Sequence, residues 1–212
     1  MKRILMVIFV FLSVLALNAE DMTQEEIAKS YKRSYDYETI GKYEKAIASL
    51  KDVYQNYKST YTVNYRLGWL YYLNKKYANS MEHFEKALII YPSSIEVLNS
   101  MILVHSVQLD WDKVEEKSAQ VVKIDYYNFT ANYWYSYSLR MQGKYENATI
   151  IDRKMLTIFP TSVTFLVELA ENLYANSEFE ESISIFYSVL ILEPDNTISE
   201  AYIKKYLEFN KK

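Results

Sequence analysis

The chain has 212 residues, half of them hydrophobic, with 22 Tyr but only 3 Gly, 3 Pro and no Cys. That balance excludes a disordered chain, a disulfide framework and a thiol nucleophile, and so few turn formers predict a mostly helical protein with short connections. A formal net charge of −3 excludes the basic footprint that attracts nucleic acid or an anionic membrane. At the N-terminus, Lys2 and Arg3 precede an apolar run from Ile4 to Leu17, interrupted only by Ser13, that closes in Leu17-Asn18-Ala19. This is the order of a secretory signal peptide, and the run falls short of the roughly 20 residues needed to cross hydrocarbon. We therefore expect residues 1–19 to be cleaved and the protein to be periplasmic or secreted. No lipid-anchor cysteine is available, and no membrane insertion is expected after cleavage. Residues 20–26 read as a short lead-in.

From there a period of 34 organises the chain. Tyr43, Tyr77, Trp111, Tyr145 and Phe179 stand in register, each followed three residues later by Ala46, Ser80, Val114, Ala148 and Ser182. Gly41 and Gly143 share one position just before the aromatic, where a chain leaving a helix needs a permissive turn. Pro92, Pro160 and Pro194 share another, where proline ends a helix. Gly68 falls mid-helix, at the position of Ser34, Ile102, Ser136 and Ala170, and reads as a close helix-helix contact. In the second unit Phe84, Ala87, Leu88 and Tyr91 form one apolar stripe and Leu67, Leu70 and Tyr71 another, so each unit is a pair of amphipathic helices.

Leu67-Gly68, Tyr71, Tyr77, Ser80, Phe84, Ala87 and Pro92 together resemble the tetratricopeptide repeat, a helix-turn-helix unit of 34 residues. The resemblance implies an all-α protein, a right-handed α-solenoid of five such repeats at 27–60, 61–94, 95–128, 129–162 and 163–196. Residues 197–212 follow as a capping helix and tail, with Ala201, Ile203, Tyr206 and Leu207 on one side and Lys204, Lys205 and Glu208 on the other. Several residues depart from the pattern. Unit three has Ile102 in the small position, Ser118 in a large apolar one and Tyr126 in place of proline; unit one has Lys58 there; unit four has Asp152 where Phe84 and Phe186 stand.

Catalytic chemistry finds little support. His83 and His105 belong to different repeats and encode no two-histidine metal turn; His105 reads as packed between helices and His83 as helix surface. Three isolated glycines build no phosphate loop, and no Gly-x-Ser-x-Gly elbow occurs. Acidic pairs such as Glu25-Glu26, Glu115-Glu116 and Glu180-Glu181 read as solvated surface. No enzymatic activity, cofactor or metal is expected.

The resemblance instead implies a concave groove lined by the first helix of each unit. The positions that face it hold Tyr31 and Tyr35, then Tyr65, Trp69 and Tyr72, then Asn99 and Leu103, then Tyr133, Tyr137 and Arg140, then Glu171 and Tyr174, with Trp134 beside them. Tyr and Trp give large contact area at low entropic cost, which suits an extended peptide, a partner helix or a sugar face. The same rings at helical spacing also suit packing between repeats. The expectation is an exported, monomeric scaffold for a partner protein or peptide, probed against a second reading as a carbohydrate-binding accessory of polysaccharide or peptidoglycan assembly.

Overall fold

The computed structural model describes residues 22–210, so the expected signal peptide lies outside the described residues. Twelve α-helices and no strand are found among them. They run as α1 (Gln24–Thr39), α2 (Tyr43–Ser49), α3 (Lys51–Asn56), α4 (Tyr61–Leu73), α5 (Tyr77–Ile90) and α6 (Ile95–Val107). α7 (Trp111–Ile124), α8 (Phe129–Met141), α9 (Tyr145–Leu156), α10 (Val163–Ala175), α11 (Phe179–Leu192) and α12 (Thr197–Phe209) complete the chain. Each first helix packs antiparallel on its own second helix and against the next unit, the arrangement of an α-solenoid.

The helix ends repeat because their chemistry repeats. The in-register aromatics Tyr43, Tyr77, Trp111, Tyr145 and Phe179 are the first residues of the second helices. Ahead of α4, α6, α8, α10 and α12 stand Thr60, Ser94, Asn128, Ser162 and Asn196, all good N-cap types. The side chains of Ser94, Asn128 and Asn196 accept from Val97, Ala131 and Ser199 amides at 3.2, 3.0 and 3.0 Å. Helix α1 starts at Gln24, inside the stretch expected as lead-in, because Thr23 and Glu26 close a reciprocal capping box.

Between the two helices of every unit the chain turns through one left-handed residue: Gly41, Lys75, Leu109, Gly143 and Ser177, with φ of 68, 57, 58, 74 and 68°. The amides there close the two bonds of a Schellman turn, for example Gly143 to the Arg140 carbonyl and Lys144 to the Leu139 carbonyl, each 2.9 Å. The second helix of unit one is split at the fully buried Leu50. There Ser49 Oγ donates to the Lys45 carbonyl at 2.8 Å, a back-bond that bends helices.

Gly68 is the close contact that its position predicts: a Cβ there would lie 2.5 Å from Phe84 Cδ1. The exceptional units keep the helices packed by other means. In unit three the large residue changes sides, so Ile102 and Ser118, both fully buried, occupy the places of Gly68 and Phe84. Units one and three, which lack proline, carry Asn64 and Asn132 four residues into the next helix. Asn64 Nδ2 donates to the Lys58 and Thr60 carbonyls, both at 2.7 Å, and Asn132 Nδ2 to the Tyr126 and Asn128 carbonyls at 3.0 and 2.8 Å. After Pro92 and Pro160 the same place holds Leu98 and Leu166. An asparagine side chain thus ties the loop where no proline shapes it.

His83 corrects the expectation of a surface residue. It is 6% exposed, stacked on Tyr71 and edge-on to Tyr54, and its Nδ1 lies 3.0 Å from Asn64 Oδ1. Burial pushes its pKa down to about 4, so it serves as a neutral packing group. At the far end α12 buries Ile203 and Ser199 against the solenoid and exposes Lys204, which stands where four of the other units bury a small residue and unit three buries Ile102.

Candidate binding groove

The first helices α4, α6, α8 and α10 touch in series and form one layer. The groove residues stand on this layer because the 34-residue period returns the same helix positions to the same face. Two clusters emerge from them.

The N-terminal cluster surrounds a cavity of about 560 Å³ lined by Tyr31, Tyr35, Tyr61, Tyr65, Trp69 and Arg66, with Thr62, Glu38 and Glu96. Tyr35 is 54% exposed, whereas Tyr31, Tyr65 and Trp69 are half-buried. Tyr61 and Tyr65 stack in parallel, centroids 5.9 Å apart. Trp69 Nε1 donates to Glu38 Oε1 at 2.8 Å, which fixes the indole. Arg66 lies 3.8 Å over the Tyr35 ring, pairs with Glu38 and donates from Nε to Ser34 Oγ at 3.1 Å. Its side chain is almost wholly buried, and its Nη2 has no partner. Tyr61 donates to Glu96 Oε2 at 2.8 Å, and burial, reinforced by that carboxylate, pushes its pKa up to about 12. Tyr72 packs on Trp69 and Tyr77.

The second cluster holds Tyr133, Trp134 and Tyr137, with mutual centroid distances of 5.2 to 6.0 Å, and Trp111 5.4 Å from Tyr137. Arg140 lies 4.8 Å over Tyr137 and bridges Glu168 and Glu171 at 3.1 and 3.0 Å. Tyr133 is pushed up to about 12 by burial, with Glu168 adding to it. Asn99 is half-buried between the two clusters, and Tyr174 is taken up by packing on Phe179 and Tyr202. The structure therefore gathers Tyr31, Tyr35, Tyr65 and Trp69 around one cavity and Tyr133, Trp134, Tyr137 and Arg140 around another set of rings.

Residue-by-residue carry-over of groove positions misses the charged partners. Glu38 and Arg66 form one junction between first helices; Arg140 and Glu168 form another at equivalent places with the signs exchanged. The signal was present as opposite charges 28 residues apart in the sequence, recognisable only once the period is known. Beneath the second cluster, Asp152 is fully buried, and Asn172 Nδ2 donates to its Oδ2 at 2.8 Å. Burial pushes Asp152 up to about 8 and Glu168 to about 7; Arg140 opposes both shifts, and Glu171 adds to that of Glu168.

Among the described residues no helix is long and apolar enough to cross a membrane, and no three His, Cys, Asp or Glu side chains gather as metal ligands do. The lining has large rings with hydrogen-bonding tips held at Glu38 and Glu96.

A family model described as tetratricopeptide repeat matches residues 31–95. No curated protein matches the chain. Solved structures with this fold include a tetratricopeptide repeat protein from Parabacteroides merdae, 18% identical, with 88% of this chain and 75% of that one covered and a TM-score of 0.80. MamA from Desulfovibrio magneticus RS-1 is 15% identical, with 83% and 99% covered and a TM-score of 0.74. YrrB, a tetratricopeptide repeat protein with an unusual peptide-binding site, is 14% identical, with 85% and 94% covered and a TM-score of 0.70. At such identities the likeness to these structures is one of fold. A tetratricopeptide repeat is thus matched at 31–95, and the solenoid carried through the described residues has the fold of solved tetratricopeptide repeat proteins.

Proposed function

We propose that this protein is an exported interaction scaffold of the bacterial cell envelope that holds a partner protein or peptide along the aromatic face of its first helices. The repeat family is one of interaction scaffolds, generally without enzymatic activity, and a neighbour of the same fold, YrrB, has a peptide-binding site. The observation that carries the reading is the aromatic cavity of about 560 Å³ between α1 and α4, whose rings are partly open to solvent. Partly exposed Tyr and Trp, already held by hydrogen bonds and stacking, lose little entropy when a ligand covers them. The export reading rests on the order of Lys2-Arg3, the apolar run and Ala19.

A pull-down from envelope extract compares the mature protein with a Tyr65→Ala/Trp69→Ala/Tyr137→Ala variant whose helicity is confirmed by circular dichroism. The expected outcome is a partner recovered by the wild type and lost from the variant. Equal recovery by both would remove the groove from function. Indole quenching by an oligosaccharide and not by peptide would transfer the face to sugar binding. Mass spectrometry of the cell fractions is expected to find a chain starting near Glu20 outside the cytoplasm; an intact Met1 in the cytoplasm would end the export reading.

A further inference from the structure

We propose that the cavity lined by Tyr31, Tyr35, Tyr61, Tyr65 and Trp69 takes a basic side chain, lysine or arginine, from the segment lying in the groove, with Glu96 as its counter-charge. The proposal rests on the groove reading above and adds the chemistry of the occupant. Five aromatic rings line a space of about 560 Å³, and ring faces attract cations through their quadrupole. The lining already does this within the molecule: the Arg66 guanidinium sits 3.8 Å over Tyr35. That internal cation is matched to Glu38, which also accepts from Trp69, so Glu38 is spoken for.

Glu96 is different. It is exposed at the edge of the cavity, and its side chain accepts from the Tyr61 hydroxyl at 2.8 Å with the Tyr65 hydroxyl beside it, and no cation is paired to it among the described residues. Tyr61, raised to about 12, stays neutral and keeps its proton toward Glu96. The charges lining the cavity are two carboxylates and one guanidinium, and the whole chain is acidic at −3, so cavity and molecule both favour a positive guest. An anionic guest would have to reach Arg66, whose side chain is 7% exposed beneath Tyr35, and would face Glu96 on the way.

Peptides acetyl-Gly-Gly-X-Gly-Gly-amide, with X lysine, arginine, norleucine or glutamate, are titrated into mature protein while the Trp69 indole N–H is followed by NMR, assigned with Trp69→Phe. Lysine and arginine peptides are expected to shift that resonance saturably, with norleucine weaker by about fivefold to tenfold. Glu96→Gln should erase this preference, while circular dichroism stays unchanged. Equal binding of norleucine, tighter binding of glutamate, no shift with any peptide, or an undiminished lysine preference in Glu96→Gln would each overturn the proposal. The envelope pull-down separates the two ideas. A partner kept by Glu96→Gln and lost from the triple variant leaves the groove reading standing and removes this one; a partner kept by the triple variant removes the groove itself.

Discussion

At Gly68 a hydrogen atom occupies the place where any other residue would set a carbon against the Phe84 ring. Helix propensity alone would make Gly68→Ala stabilising by about 1 kcal/mol. The steric conflict is with the root of a fully buried ring, so overpacking prevails, and a net loss of about 2 kcal/mol is expected in denaturant titration. Gly68→Ala with Phe84→Leu should recover most of it. Asp152 occupies the equivalent of Phe84 and solves the same space differently. Its Oδ1 and the Oδ1 of Asn172 both lack partners, and a proton on the carboxyl supplies a donor to this pair of acceptors. Since its folded pKa, about 8, stands above the ordinary value of 3.8, the folded state binds the extra proton, and stability falls as pH rises through that window. Glu168, near 7, adds a fall of the same sign over the lower part, moderated by Arg140. Asp152→Asn should therefore melt higher than the wild type at pH 8 to 9 and flatten the upper part of the stability profile; an unchanged slope would show that Asp152 is ionised throughout.

At the scale of helices and turns, much is legible in the sequence, because local chemistry recurs in local order. The aromatics mark the starts of the second helices, Pro92, Pro160 and Pro194 follow their ends, and Gly41 and Gly143 sit in the left-handed turns. Lys75, Leu109 and Ser177 adopt the same left-handed turn without glycine, so residue type alone understates the regularity. His83 is misread from sequence because its burial depends on Tyr54 of the preceding unit and Tyr71 of its own. The groove tyrosines can be numbered from the resemblance, but their grouping into two clusters depends on Glu38, Arg66, Arg140 and Glu168, whose pairings cross unit boundaries. The exchange of proline for asparagine is a local device that is equally hidden, since Asn132 acts on carbonyls four and six residues behind it. Asn132→Leu should cost about 1 to 3 kcal/mol by leaving those carbonyls without its amide. Adding Tyr126→Pro should return part of this, because Asp125 before it is already extended, at φ −132° and ψ 96°, as a residue preceding proline must be. No recovery would show that the asparagine does more than hold the loop.

For the whole molecule, stacking order is secured by charge as well as by shape. A solenoid whose units share one pattern risks pairing any unit with any other, and the Glu38–Arg66 and Arg140–Glu168 junctions differ in sign order. Arg66→Glu places two carboxylates together at a buried junction and should destabilise by about 3 to 5 kcal/mol. Glu38→Arg in the same chain restores an opposite pair in the order used by Arg140 and Glu168, and more than half of the loss should return in thermal melts. If the double variant is as unstable as the single one, the hydrogen bonds to Ser34 and Trp69, and not the charge pairing, set that junction.

The constant spacing also bears on how such a chain could change length. Residues 95–128 contribute to neither charged junction, and their removal would join Ser94, a natural N-cap, directly to Phe129, the first residue of α8. The new seam would set Tyr72 of α4 beside Trp134 of α8, and Lys144 would lose Glu115 as its partner. Recombination between units could thus shorten this scaffold by one whole module, keeping the aromatic rings of the cavity at one end and the acid-rich core at the other while removing Glu96 from the cavity's edge.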